Sequence, residues 1–193
     1  MEDKIRPGRW LYAVSAAILV FGVVGFILLL ISGINKSMDK LDNRIIVPGK
    51  SVIELNESGK YNIYFEYKSE LDGQIYSNKN LNGLTCIITN LDSGVEITLK
   101  NPKIDMNYNL INRSGYNIYE FIIDSPGRYE LNSWYPSGEG DKAVLVIEQG
   151  FAETLTINIL LCLASLFLGI GGGVIIFVIT LFMRNRAKKS KEI

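Results

Sequence analysis

The chain has 193 residues, with 20 basic and 20 acidic side chains, no histidine, and a hydrophobic share of 48%. Its apolar residues are concentrated near the two ends: no charged residue occurs at positions 10–34 or at positions 154–183. At about 1.5 Å of rise per residue, either run can cross a hydrocarbon core of roughly 30 Å as a helix. This distribution excludes an ordinary soluble protein.

The lack of histidine limits the chemistry open to the chain. With no cysteine framework either, since the chain has two cysteines, the usual zinc, haem and iron–sulfur ligand sets are excluded, as are nucleophile triads that use histidine as a base. Cys86 lies in a strand-like run and Cys162 lies inside the second apolar run, so we expect no disulfide between them. The sequence therefore predicts no catalytic residue, no metal site and no cofactor.

The first apolar run is predicted to be a membrane anchor. Residues 1–9 form a short N-terminal segment of mixed charge, residues 10–34 form the first transmembrane helix, and residues 35–43 form a linker. A secretory signal peptide is the alternative, but its apolar region is typically ~7–15 residues long. Here the apolar run continues through residues 28–31, which favours a retained span.

The middle of the chain, residues 44–149, has the pattern of many short strands. Runs rich in Ile, Val, Tyr and Phe alternate with clusters of Gly, Pro, Asn, Asp and Ser. The predicted strands are 52–55, 61–68, 84–89, 95–100, 116–123, 128–134 and 143–148, with an eighth at 105–111 left open. Seven or eight antiparallel strands of this spacing predict an all-β sandwich, either Ig-like or jelly-roll-like.

Alternation along two of these strands predicts which side chains face the core. In the second predicted strand the core-facing set is Tyr61, Ile63, Phe65 and Tyr67. The opposite set, which we expect on a solvated face, is Asn62, Tyr64 and Glu66. In the fourth predicted strand the core-facing set is Val95, Ile97 and Leu99.

One local pattern occurs twice and ends in a tyrosine each time. At residues 57–61 and 124–129, an acidic residue and a serine precede a glycine, a basic residue and then Tyr61 or Tyr129. Glycine permits a positive φ in a turn, and the serine or acidic side chain can bond the backbone there. We predict that Tyr61 and Tyr129 are structural tyrosine corners, whose hydroxyl groups fold back onto the preceding turn.

Two adjacent aromatic residues are the candidates for ligand binding. Trp134 and Tyr135 precede a loop rich in Gly, Ser and Pro at residues 136–141. Large rings beside such a loop can stack on a sugar or a peptide. The alternative is structural, with Trp134 closing one end of the core.

Residues 150–183 are predicted to form a juxtamembrane segment and the second transmembrane helix. Gly169 and Gly173 are four residues apart in this run, and Gly22 and Gly25 occur in the first. Small residues at such spacing let helix backbones approach closely. They indicate either packing of the two helices of one hairpin, or self-association or docking onto another membrane protein.

Charge placement predicts the orientation in the membrane. Basic residues flank both apolar runs at the termini, whereas residues 35–153 hold 12 basic and 17 acidic residues. By the positive-inside rule, both termini are expected in the cytoplasm and residues 35–153 outside, in a two-pass plasma-membrane protein. The basic tail, residues 184–193, would attract anionic lipid of the bilayer rather than nucleic acid.

Several short motifs together resemble a known group. They are an Arg-Pro-Gly-Arg-Trp start, a Val-Pro-Gly turn at residues 47–49, two Gly-[Lys/Arg]-Tyr strand entries, a Gly-rich second span and a basic tail. In these features the chain resembles uncharacterised bacterial two-span membrane proteins with an extracytoplasmic β-sandwich domain between the spans. The resemblance implies an architecture and no functional residues.

These features predict a class of function and not a particular ligand or partner. Neither apolar run contains a charged side chain, which argues against a transporter or channel acting alone. We expect a non-enzymatic membrane protein that acts as an accessory or interaction subunit of a membrane complex. The alternative is a cell-envelope receptor that binds glycans or peptides.

Overall fold

The computed structural model describes residues 8–189, which form two compact units. Residues up to Ser37 and residues from Ala152 form a helical unit, and Met38–Phe151 form a β unit. The parts of the predicted N-terminal segment and basic tail at residues 1–7 and 190–193 lie outside the described residues. The β unit is longer at both ends than the predicted domain, 44–149.

The helical unit contains two long helices. Helix α1 spans Trp10–Asp39, and the second helix consists of α2 (Phe151–Leu166), a π-helical turn (Phe167–Gly171) and α3 (Gly172–Lys189). Both are long and apolar enough to cross a membrane, and only 11% and 17% of their most apolar stretches are buried within the molecule. Because α1 continues to Asp39, more than half of the predicted linker is helical.

The β unit contains ten strands in two antiparallel sheets. The first sheet has the order β1-β10-β3-β8-β7, with β4 paired to the end of β3. Its strands are β1 (Arg44–Val47), β3 (Gly59–Leu71), β4 (Gln74–Ser77), β7 (Asn107–Asn109), β8 (Ser114–Ile123) and β10 (Ala143–Glu148). The second sheet has the order β2-β9-β5-β6, with β2 (Gly49–Leu55), β5 (Thr85–Asn90), β6 (Glu96–Ile97) and β9 (Gly127–Trp134).

The two strands beyond the predicted number are β1 and β4. β4 forms a hairpin with the extended end of β3, in register from Lys68↔Ser77 to Leu71↔Gln74. The two turn residues, Asp72 and Gly73, have φ values of 53° and 73°, as a tight hairpin turn requires. Four-residue strands with little alternation give only a weak pattern, so sequence reasoning missed both.

The main core contains side chains from both sheets. Ile63, Phe65 and Leu145 of the first sheet and Ile88 and Leu131 of the second belong to one hydrophobic cluster, and all five are 0% exposed. Burying a side chain of this size contributes roughly 1.5–3 kcal/mol relative to leaving it exposed. The cluster therefore holds the two sheets together.

The predicted solvated face of β3 is wrong. Tyr64 and Glu66 are 0% exposed, because a second cluster of Leu41, Tyr64, Tyr108, Val146 and Phe151 covers this side of the first sheet. All six residues of β10 are buried as a result. The sheet is thus covered on both faces along β10, which an alternating pattern does not predict.

Two predicted core positions are also wrong. Tyr67 is 37% exposed, because the pairing of β3 with β8 shifts register between Glu66 and Lys68. Such a bulge changes which side chains are buried beyond it, so Ser69 is buried whereas Tyr67 is not. Val95 is 57% exposed because it precedes the short strand β6, whereas Ile97 and Leu99 pack partly buried against the core.

Candidate functional site

The two repeated tyrosines bond the turns that precede them. The hydroxyl of Tyr61 donates to the Glu57 carbonyl at 2.8 Å, and the hydroxyl of Tyr129 donates to the Ser125 carbonyl at 2.7 Å. The exposed fractions are 5% for Tyr61 and 1% for Tyr129. Burial is the main cause that raises the pKa of Tyr61. Neither ring offers a face to a ligand.

Trp134 and Tyr135 lie at the end of β9 but differ in availability. Trp134 is in register with Thr85 and is 37% exposed. The hydroxyl of Tyr135 donates to the Asp141 carbonyl at 2.9 Å, and a Cβ added to Gly140 would overlap the Tyr135 ring. The loop therefore folds back on Tyr135, which is half-buried, whereas Trp134 is more exposed.

The four glycines named from the sequence lie between the two long helices. The backbones of Gly22 and Gly169 touch, so that a Cβ on either would overlap the Cα of the other. A Cβ on Gly25 would meet the Ser165 hydroxyl oxygen at 3.2 Å, and one on Gly173 would lie 2.5 Å from Cγ of Leu19. These glycines make close contacts inside one helix pair.

Three hydrogen bonds join the same two helices. Ser15 donates to the Gly173 carbonyl at 2.8 Å, Ser165 to the Gly22 carbonyl at 3.2 Å, and Asn158 to the Gly33 carbonyl at 3.3 Å. The close approach of the glycines exposes their carbonyl groups to donors on the facing helix. Sequence reasoning did not single out Ser15 or Ser165, although each is a small polar residue within an apolar run.

A buried ion pair lies on the covered face of β3. Oε1 of Glu66 accepts from Nε of Arg113 at 2.7 Å and from the Tyr108 hydroxyl at 2.7 Å, and the Ser69 hydroxyl donates to Oε2. Arg113 also donates to the Leu41 carbonyl at 2.6 Å. Burial, and then the bond to Glu66, raises the pKa of Tyr108. This fully bonded cluster is structural rather than reactive.

A second buried carboxylate, Glu148, lies at the end of β10. It accepts from Nδ2 of Asn62 at 2.8 Å and from the backbone N–H of Phe151 at 2.7 Å. The neighbouring Tyr64 hydroxyl has no hydrogen-bond partner among the described residues. Burial, followed by the charge of Glu148, raises the pKa of Tyr64.

The surface of the β unit has an open groove of about 530 Å³, which we call the amide groove. Its lining mixes polar, aromatic and aliphatic residues, and the polar and aromatic members include Asn80, Asn82, Asn101, Asp105, Tyr116 and Tyr119. Neither Trp134 nor Tyr135 lines it, although Leu84 of the groove precedes Thr85, the register partner of Trp134. Sequence reasoning missed this groove because its lining comes from three separate segments of the chain, residues 80–84, 101–105 and 116–119.

Two isoleucines form a second surface feature, which we call the isoleucine patch. Ile75 on β4 is 79% exposed, and Ile111 in the turn between β7 and β8 is 93% exposed. Glu70 connects them, since it is in register with Ile75 and its Oε2 accepts from Nδ2 of Asn112 at 3.2 Å.

Comparison with known proteins finds no match to this chain among family models, curated proteins or solved structures.

Proposed function

We propose that the chain is a two-pass plasma-membrane protein with cytoplasmic termini that displays an Ig-like or jelly-roll-like β-sandwich outside the cell. It acts without catalysis, as an accessory or interaction subunit of a membrane complex. Its architecture is then that of the uncharacterised bacterial two-span proteins that its motifs resemble. The two long apolar helices and the two-sheet β unit support the architecture.

The observation that carries the interaction role is the isoleucine patch. Large aliphatic side chains at 79% and 93% exposure contribute nothing to the core and expose apolar surface to water. Lys68 and Asn112 lie beside them, so polar groups border the exposed apolar surface. Protein interfaces have this arrangement of an apolar centre and a hydrated rim.

The chain connection between the patch and the first long helix supports a membrane protein as the partner. Nη1 of Arg44 donates to the Glu70 carbonyl at 2.9 Å. Arg44 is five residues beyond Asp39, the end of α1. Five residues of extended chain reach at most about 18 Å. The patch is therefore tied, through Glu70 and Arg44, to a position five residues beyond the end of α1 in the chain.

Site-specific photocrosslinking tests the interaction role. A photoreactive residue at position 111, in cells, should crosslink to one defined integral membrane protein, and Ile75→Asp should reduce that product. The matched control is position 52, where Val52 is 59% exposed on the second sheet. Equal products from positions 52 and 111, or none together with a partner-free particle after mild extraction, would contradict the proposal.

Cysteine labelling tests the orientation separately. In a chain without its native cysteines, Glu139→Cys should react with a membrane-impermeant maleimide on intact cells, because Glu139 is exposed in the loop after β9. Arg186→Cys should react only after the membrane is permeabilised. The reverse pattern would show that the β unit faces the cytoplasm.

A further inference from the structure

Both walls of the amide groove are fixed to the rest of the β unit. On one side, Asn117 is 6% exposed and uses both polar atoms: its Oδ1 accepts from the Met106 N–H, and its Nδ2 donates to the Ile104 carbonyl, each at 2.8 Å. On the other side, Asn78 donates to the Lys142 carbonyl at 2.6 Å, and Leu81 packs against the main core. The groove is therefore preformed, as ligand sites usually are.

The polar groups that line the groove are available to a ligand. Within residues 8–189, the side chains of Asn80, Asn82, Asn101 and Asp105 form no hydrogen bond, and all four are exposed. Each carboxamide offers two donors and an acceptor with two lone pairs. Three carboxamides, with the carboxylate of Asp105 as an additional acceptor, can bond a ligand rich in hydroxyl or acetamido groups.

Aromatic rings form part of the groove floor on β8. Tyr116 is 37% exposed, and its ring contacts Phe65, edge to face at 5.6 Å, and Tyr67 at 6.2 Å. Tyr119 is half-buried against the main core. A tyrosine ring held in this way offers a fixed apolar face beside polar groups, which suits the C–H face of a sugar ring.

The charge of the groove narrows the class of ligand. Asp105 is the one charged residue among its lining residues, and no basic side chain belongs to the lining. Lys100 and Lys103 line a different depression, beside Glu120. An anionic ligand would therefore meet no cation here. The volume of about 530 Å³ lies within the roughly 300–1,000 Å³ of typical small-ligand sites.

We infer that the amide groove binds a neutral oligosaccharide. This inference goes beyond the proposed interaction role and uses a different surface of the β unit. Asn82 and Asn101 bond the sugar hydroxyl or acetamido groups, and Tyr116 stacks on a ring face. Of the two ligand classes open to the sequence, glycan and peptide, the carboxamide-rich and weakly charged lining favours the glycan.

Binding by the full chain in lipid nanodiscs tests this inference. The probes are an array of neutral oligosaccharides that includes chitotetraose and maltotetraose, with a neutral alanine–serine heptapeptide for comparison. We expect calorimetry to detect binding of at least one oligosaccharide. Asn82→Ala and Asn101→Ala should each weaken its affinity by roughly twofold to tenfold. Tyr116→Ala should abolish binding, whereas Tyr116→Phe should retain it.

The matched control is Asn56→Ala, which removes an exposed asparagine between β2 and β3 that does not line the groove. Its affinity should equal that of the unaltered chain. The inference is overturned if no oligosaccharide binds, if only the peptide binds, or if the groove variants bind as tightly as Asn56→Ala. Loss of binding in Trp134→Ala alone would place the site elsewhere. Crosslinking from position 111 is unaffected by groove variants, so the two proposals fail independently.

Discussion

Glu66 is a buried charge, and the groups around it compensate that charge. Removing Arg113 leaves the carboxylate buried without its cation, so Arg113→Ala should lower the free energy of unfolding by about 3–5 kcal/mol. Lys50→Ala is the control, since it removes the base of an exposed pair, Lys50–Glu130, and should cost about 1 kcal/mol or less. Chemical unfolding monitored by circular dichroism measures both. Similar costs for the two would show that the Glu66 cluster is not a buried pair in solution.

Three buried tyrosines allow a matched comparison of hydroxyl groups. Tyr61→Phe and Tyr129→Phe each delete a bond to a turn carbonyl and should cost about 0.5–1.5 kcal/mol. Tyr64→Phe deletes a hydroxyl group that has no partner among the described residues, so it should be neutral or stabilising. Thermal unfolding of the three variants ranks them. Destabilisation by Tyr64→Phe equal to the others would indicate a bonded hydroxyl group at position 64.

The thiol of Cys86 makes stability depend on pH. Burial raises its pKa from 9.0 to about 11, so above pH 9 the unfolded chain loses this proton before the folded chain does. The folded state then binds more protons, and the free energy of unfolding falls as the pH rises from 9 to about 11. In Cys86→Ser the fall across this window should be shallower. Parallel curves for the two proteins would mean that the folded and unfolded thiols titrate alike.

At the scale of residues, sequence reasoning succeeds where the determinant is local. The glycine turns that precede Tyr61 and Tyr129 are contiguous in the chain, and the two hydroxyl groups bond those same turns. The environment of Glu66 depends on Tyr108 and Arg113, which are 42 and 47 residues away. Alternation along β3 predicted that Glu66 faces solvent. The residues that cover this face of the sheet lie elsewhere in the chain, so they do not change the sequence pattern of β3.

The helix pair depends on the contact between Gly22 and Gly169. Gly169→Ala places a methyl group against the Gly22 backbone and should destabilise the pair by about 1–3 kcal/mol. Gly171→Ala is the control, because a Cβ there meets nothing within 4 Å. Thermal unfolding in detergent should show a lower midpoint for Gly169→Ala only. An equal response at position 171 would mean that the helices do not pack through these glycines.

At the scale of elements, strands with a strong pattern were predicted closely and short ones were not. The bounds of β10 are those predicted, because six consecutive residues with a run of aliphatic side chains precede a turn at Gly150. β4 has only two hydrophobic residues, and β6 has two residues in all. Their existence depends on pairing with β3 and β5, which no local pattern encodes.

At the scale of the whole molecule, the stability of the β unit depends on where it begins and ends in the chain. The second cluster includes Leu41 and Phe151, which lie outside the predicted domain, 44–149. A fragment of residues 38–151 should therefore be more stable than one of residues 44–149, by about 2–5 kcal/mol for each lost side chain. Urea unfolding of the two fragments measures the difference. Equal midpoints would show that the second cluster contributes nothing.

Strand order in the first sheet has a consequence for biosynthesis. β10 is the last strand to leave the ribosome, yet it lies between β1 and β3, which are among the first. Until residues 143–148 are available, the facing edges of β1 and β3 have no partner, and exposed edges of this kind favour pairing with other chains. Only a few residues separate β10 from the second apolar helix. The first sheet therefore cannot close until residues 143–148 have been made, when the second apolar helix is the next element of the chain.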